Sequence, residues 1–541
     1  MMQKQTAEVV IVGGGIAGIV CALELLDQGR RVLLLDRDKP EKLGGLARES
    51  FGGMLAVDTP EQRRAGIRDS VDQALADWQA FAQFDEAAVW PQRWARAYVS
   101  HCTPEMYWWL RGKGIQYFPV PNWVERGLFT PGNSFPRFHI VWGTGEVLTN
   151  TLIAQLQPHL QSGRLEIRFG QRVEGLLSQA GQVNGCHGVD EAEGQPFEAR
   201  AQVVVVAAGG INGDIDRVRA HWHADWGRPP EVILNGSHRY ADGRVHDAAN
   251  AVGAQLTHLD KMWNYAAGVH HYASTKPHAG LSLVPPKSAI WLNWRGERIG
   301  PQPLVSGYDT RDLVTQICKQ DRQYSWQVLN HKIALKELAV SGAEHNPSIR
   351  DQSWPRFLGD ILRGNRWLLD TLIDKCQDFV VAQSLPELVE KMNALQGDGA
   401  VELATVESVV RQYDAQLLRP PQLRNDDQLR RIAHLRQYRG DKVRICKQQT
   451  ILDGKALPLI AIREFIISRK SLGGIQTDLQ SRALDASGQP IPGLFAIGEA
   501  AGFGGGGVHG LRALEGTFLG GCVLTARAAA ASVAGRSLLS I

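Results

Sequence analysis

"AEVVIVGGGIAGIVCALELLDQGRRVLLLDRD", residues 7–38, decides how the rest of the chain is read. The apolar run at 8–12 predicts a buried strand, the glycines a turn, 16–28 a helix, and 31–35 a second buried strand ending in Asp36. Two such strands joined by one helix predict a βαβ unit and hence a parallel sheet. Gly13, Gly15 and Gly18 carry the G-x-G-x-x-G spacing, and Asp36 follows Gly18 by 18 positions, with Arg37 beside it. In that context the first glycine permits the tight turn, the second lets a pyrophosphate approach the backbone, and the third lets helix pack on strand. Backbone amides at the helix start, around Ile16 and Ala17, present donors and a partial positive charge to phosphate. Asp36 is placed to accept from ribose hydroxyls and to repel a 2'-phosphate.

A second glycine-rich stretch, "GEAAGFGGGGVHG", lies at 498–510, close to the other end of the 541-residue chain. The apolar strand 494–497 before it delivers Gly498 and Glu499 to the carboxyl edge of the sheet, where open α/β sheets bind ligands. A helix expected over about 509–532 aims its positive end at the same place, with Gly510 and Leu514 as candidate cofactor-binding residues. A flavin gathers negative charge around N1 and the C2 carbonyl on reduction, so a helix start favours its reduced form. One extended FAD reaching from the first loop to the second explains both. Two separate nucleotides would need a second G-x-G-x-x-G with its own acidic strand end, and the sequence has none.

Composition narrows the partners. With 59 Lys and Arg against 56 Asp and Glu, the net charge of +3 gives no reason to expect nucleic acid or an anionic membrane. The most basic stretch, 430–444, reads as a solvated face. The seven cysteines are never closer than 58 positions, which excludes CxxC pairs and locally spaced zinc or iron-sulfur ligands, so no metal is expected. Their odd, scattered set fits reduced thiols. The N-terminus shows no signal-peptide succession, and the glycines and Glu24 interrupt the apolar run from Val9, so a cytoplasmic protein without integral membrane association is expected.

Along the chain, the loop 43–54 is punctuated by glycine, and 203–210, "VVVVAAGG", returns a buried strand to the parallel sheet. Residues 90–142 hold 13 of the 40 aromatics, a packed subdomain or the wall of a flat apolar cavity. From about 256 to 440 the glycine fingerprints thin out and amphipathic helices take over. The expected organisation is an FAD domain split into 1–255 and 441–541, with an α+β substrate or capping domain at 256–440.

The motifs "VIVGGGIAG", "LLLDRD", "GGLARESFGG", "VVVVAAGG", "ADGRVHDAANAVGA", "WLNWRGERI" and "GGIQTDLQSRALDASGQPIPGLFAIGEAAG", in this order, resemble the flavoprotein family of fumarate reductase, succinate dehydrogenase and 3-ketosteroid dehydrogenases. The resemblance implies a doubly wound, Rossmann-like FAD domain with an inserted cap that closes over the isoalloxazine. It places Gly44, Gly45, Leu46, Ser50, Gly52 and Gly53 along the flavin and its phosphates, and Ala208 and Gly209 at the edge of the site. Members with covalent flavin have a histidine in that segment; residues 40–60 contain none, so dissociable FAD is expected.

Departures shape the substrate reading. Lys470 stands about where fumarate reductases place a histidine before the late "GGI", and Ala513 where an arginine grips a carboxylate, with Arg512 one position early. A further family histidine falls near Tyr265. "YDTRD" at 308–312 resembles the family's "TTRD", whose arginine donates the proton in fumarate reduction, so Arg311 inherits that candidacy and Tyr308 and Tyr265 compete with it. The resulting expectation is an FAD-dependent oxidoreductase acting on a CH–CH bond beside a carbonyl, on a flat, ketosteroid-like small molecule, with a separate electron donor or acceptor. The alternatives are an FAD-holding subunit of a larger redox assembly and a flavin-dependent isomerase.

Overall fold

The computed structural model describes residues 3–274 and 276–540, so the first two residues of the N-terminal stretch lie outside it. The chain is mixed α/β and divides into two compact units, one of residues 1–221, 237–263 and 469–541, the other of 222–236 and 264–468.

The first unit is built on the βαβ element. Strand β1 (Val9–Val12), helix α1 (Ile16–Asp27) and strand β2 (Val32–Leu35) follow the sequence pattern to within a residue or two. Strands β3 (Leu165–Arg168), β4 (Val203–Val206), β5 (Arg482–Leu484) and β6 (Pro490–Ala496) complete a six-stranded sheet of order β5-β6-β4-β1-β2-β3. Every pairing is parallel except β5 with β6. The valine and leucine runs fit because parallel strands are covered on both faces. One core cluster joins Val10, Val12, Leu33, Leu35, Val204, Val206, Leu494 and Ala496.

Strand β4 lies between β1 and β6, so the strands that precede the two glycine loops are separated by one strand and point the same way. Helix α2 (Thr517–Val533) follows the second loop. It begins eight residues after the position expected from the sequence. Gly504, Gly505, Gly506, Gly507, Gly510 and Gly516 all take positive φ, which an α-helix cannot include.

The second unit centres on residues 459–468 of strand Leu459–Ser471, which pair with Tyr324–Asn330 and Phe379–Ala382 antiparallel and with Ile233–Asn235 parallel. These pairings draw 222–236 and 441–468 into this unit, whereas composition placed its limits at 256 and 440. Glycine content cannot register a strand pairing more than 200 residues apart in sequence. Among the described residues, no helix is long and apolar enough to cross a membrane.

Candidate functional site

Each glycine of the first loop has a distinct physical requirement. Gly13 has φ +112°, and a Cβ there would strike the Ala207 carbonyl, with Ala208 Cα at 3.0 Å. A Cβ on Gly18 would collide with the Gly13 carbonyl, so helix and turn close directly on each other. Gly15, the residue that caps α1, has nothing within 4 Å of its missing Cβ. The loop therefore packs tightly behind and stays open in front of the helix start, as a phosphate cradle requires.

Asp36 locks this loop. Its carboxylate accepts the Gly14 amide at 2.5 Å and the Asp38 amide at 2.7 Å. Burial raises its pKa above the ordinary range, against the pull of those two amides and of His238. Arg37 turns to protein acids, donating to Glu191 at 2.9 Å and Asp242 at 2.8 Å, and stacks on Tyr240 at 4.3 Å.

The second glycine segment is fastened to the first, with Gly44 donating its amide to the Gly14 carbonyl at 2.9 Å. Gly44 and Gly45 take positive φ, and Leu46 lies in the short helix they open, Gly45–Glu49. The Ser50 hydroxyl donates to the Ala47 carbonyl at 2.7 Å and accepts from the Gly52 amide at 3.2 Å. Gly52 and Gly53 leave no room for side chains, against Thr144 and the Phe138 ring respectively. Gly209, with φ +78°, has only Ala241 near its missing Cβ.

The late loop meets the early one. Gly498 has φ +61°, and a Cβ there would stand 2.9 Å from Cβ of Ala17 on α1 and 3.3 Å from Sγ of Cys522 on α2. Its amide donates to Thr525 Oγ1 at 2.9 Å. Glu499 accepts the Ser471 amide at 2.9 Å, and burial pushes its carboxyl pKa upward. Gly510 lies against the Ala82 carbonyl, and the buried Leu514 accepts the Thr517 hydroxyl at 2.6 Å.

That last bond fixes a histidine that sequence reasoning did not single out. Because Thr517 Oγ1 donates to Leu514, it accepts from His509 Nε2 at 2.7 Å, which assigns the proton to Nε2. His509 Nδ1 is then a bare acceptor, buried without a partner. Burial and the neighbouring Lys470 charge lower the His509 pKa to about 3, so the ring is neutral. It stands among Trp78, Phe503 and Phe518. Its only sequence signal was the "HG" after the glycine run.

The three proton-transfer candidates all lie in the second unit. Arg311 donates to Asp225 at 2.9 Å and His223 Nδ1 at 3.3 Å, and lies over the Trp226 ring at 5.1 Å. The Tyr308 hydroxyl is 3.1 Å from the Arg431 carbonyl and 2.9 Å from His434 Nδ1. Tyr265 is half-buried against Leu234, Phe465 and Ile467. Arg311 and Tyr308 share the loop and first turn of helix Thr310–Cys318, while Tyr265 stands on strand Met262–His270.

Two glycine loops joined at the carboxyl edge of a parallel sheet, each followed by a helix start, define a dinucleotide-binding flavoprotein. The open space before Gly15, the unpartnered His509 Nδ1 and the donors at α1 and α2 fit FAD. The chain belongs to the FAD binding domain family, whose pattern matches residues 8–519. A "KsdD-like steroid dehydrogenase" of Mycobacterium tuberculosis is 43% identical over 549 residues, covering 97% of this chain and 95% of that protein. Another of Mycolicibacterium smegmatis is 40% identical over 531 residues, covering 95% and 96%. The fold matches that of 3-ketosteroid Δ1-dehydrogenase from Sterolibacterium denitrificans with a TM-score of 0.69 at 18% identity, covering 98% of this chain and all of that one. The protein is an FAD-dependent oxidoreductase of the CH–CH class.

Proposed function

We propose that the substrate is a flat, apolar ketosteroid and that the bond oxidised or reduced is a CH–CH bond next to its carbonyl. The observation that carries this is the near full-length similarity to proteins described as KsdD-like steroid dehydrogenases. Ala513, where a carboxylate-gripping arginine stands in fumarate reductases, argues in the same direction, since a dicarboxylate would find no bidentate anchor there.

Bound FAD supplies a hydride acceptor or donor at N5. The chain does the rest. Gly13, Gly15 and the start of α1 take the pyrophosphate, and Asp36 the adenosine ribose. The loop from Gly498 to Leu514 and the start of α2 take the flavin end. The 40–60 segment has no histidine to tether the ring, and FAD is held without a covalent bond. The second unit carries the proton-transfer group. Arg311 is held in one orientation by Asp225 and Trp226, and is the first candidate; Tyr265, half-buried on its strand, is the second.

Anaerobic mixing with a panel of saturated and unsaturated 3-ketosteroids tests the reading. A steroid should bleach the oxidised flavin band or restore it from the reduced state, while fumarate does neither. Response to fumarate alone, or to amines and hydroxy acids alone, contradicts it.

A further inference from the structure

Lys470 has no role in the account so far, yet it stands at the busiest corner of the first unit. Its Nζ lies 4.1 Å from the centroid of the Phe518 ring, the second residue of α2. Glu515, two residues before α2, accepts Trp263 Nε1 at 3.1 Å and is the strongest of the charges that hold the Lys470 proton. The next residue, Ser471, donates its amide to Glu499, whose Oε1 would be 2.5 Å from a Cβ on Gly210, four residues past β4. Lys470 is thereby fixed between the carboxyl ends of β4 and β6 and the first turn of α2, in the crevice where open α/β sheets bind their ligands.

We propose that Lys470, held by Glu515 against the start of α2, is the cation that offsets the negative charge arising on the pyrimidine side of the flavin, and so sets its reduction potential. This rests on the FAD placement given above. Two electrons and one proton delivered at N5 leave the ring system one negative charge, centred on N1 and the C2 carbonyl. The α2 end contributes about half a positive charge. An ammonium contributes a full one, at a site of low polarity where it counts for more than in water.

The surrounding ionisable groups single out Lys470. His509 is neutral, and burial pushes the Cys522 thiol up to about 12, so neither adds charge at neutral pH. Glu515 and Glu499 favour the protonated lysine, while burial and Arg469 oppose it, and burial wins: the Lys470 pKa falls below the usual lysine value. Arg469 precedes it on the same strand, so the two side chains leave opposite faces. Glu499 titrates lower, its carboxyl pushed up by burial to about 7, so Lys470 is the group whose proton can make the flavin potential depend on alkaline pH.

The test is the equilibrium of protein-bound FAD with reference dyes between pH 6 and 10, for wild type, K470M and K470R, with dithionite as the reductant. K470M should shift the equilibrium about tenfold or more toward oxidised flavin at pH 7, and K470R should stay within about threefold of wild type. The wild-type potential should drop on the alkaline side with an added slope that K470R lacks. Sulfite, which adds to oxidised flavin at N5 and leaves the same charge, should bind K470M about tenfold more weakly. K470Q replaces K470M if the latter does not take up FAD. A K470M or K470Q protein with full FAD content, a dye equilibrium within about threefold of wild type and unchanged sulfite affinity overturns this inference alone. Wild-type protein that binds no FAD overturns the cofactor placement along with it.

Discussion

Ala17 and Gly498, separated by 480 residues of sequence, face each other so closely that a Cβ on Gly498 would lie 2.9 Å from that of Ala17. The contact joins α1 to the loop after β6, as the proposed placement of both glycine segments on one FAD requires. Gly498→Val adds both this clash and a β-branched side chain at φ +61°. The purified variant should retain well under a tenth of the wild-type FAD content, read from the visible flavin band against protein absorbance. Gly29→Ala also falls at positive φ but meets nothing within 4 Å, and should keep its FAD.

Asp36 locks the first glycine loop and is the proposed acceptor for the adenosine ribose, so Asp36→Ala should lose two functions at once. Removing a charged acceptor from the Gly14 and Asp38 amides costs about 1.5–3 kcal/mol. FAD titration of the apoprotein should show binding weakened about tenfold to a hundredfold. Unchanged affinity would mean that the adenosine end lies elsewhere.

Arg311 distinguishes catalysis from scaffolding. Its partner Asp225 is 55% exposed, so the ion pair itself is worth less than about 1 kcal/mol. Arg311→Lys should therefore change the melting temperature little, yet lower turnover about a hundredfold or more if Arg311 carries the proton. Equal loss of stability in Arg311→Ala and Asp225→Ala with turnover intact would make the residue a structural brace and pass the assignment to Tyr265, tested by Tyr265→Phe.

Two buried histidines make stability depend on acid. His509 has its pKa lowered to about 3 and His246 to about 4, both by burial. Folded values below the unfolded value of about 6.5 mean that the unfolded chain binds more protons below that pH. The stabilisation is complete above about 6.5 and is lost as pH falls toward 4 and then 3. At pH 5 each histidine costs about 2 kcal/mol by this linkage. Urea unfolding at pH 7 and pH 5 should show the drop, and His246→Asn should reduce it; an unchanged difference between the two pH values would refute the assignment.

The FAD half of the fold was legible because each element there is local. The strand, turn and helix at 7–38 announce themselves by apolar runs and glycine spacing, and Asp36 lies where the pattern puts it. The late helix began eight residues late because backbone sign, invisible in composition, decides where a glycine run ends. The division between units was harder still. Ile233–Asn235 joins the second unit through a parallel pairing with Ile466, Ile467 and Ser468 that no local signal encodes. Lys470 and His509 were visible as letters, but their roles come from burial beside Phe518 and Thr517, which only the assembled first unit supplies.

The most direct test of the whole account is the cofactor content of the purified protein before and after denaturation. One FAD per chain, released completely into the supernatant by acid or heat, is the predicted result. A colourless protein that takes up no added FAD, or a flavin that stays with the precipitated chain, would contradict it.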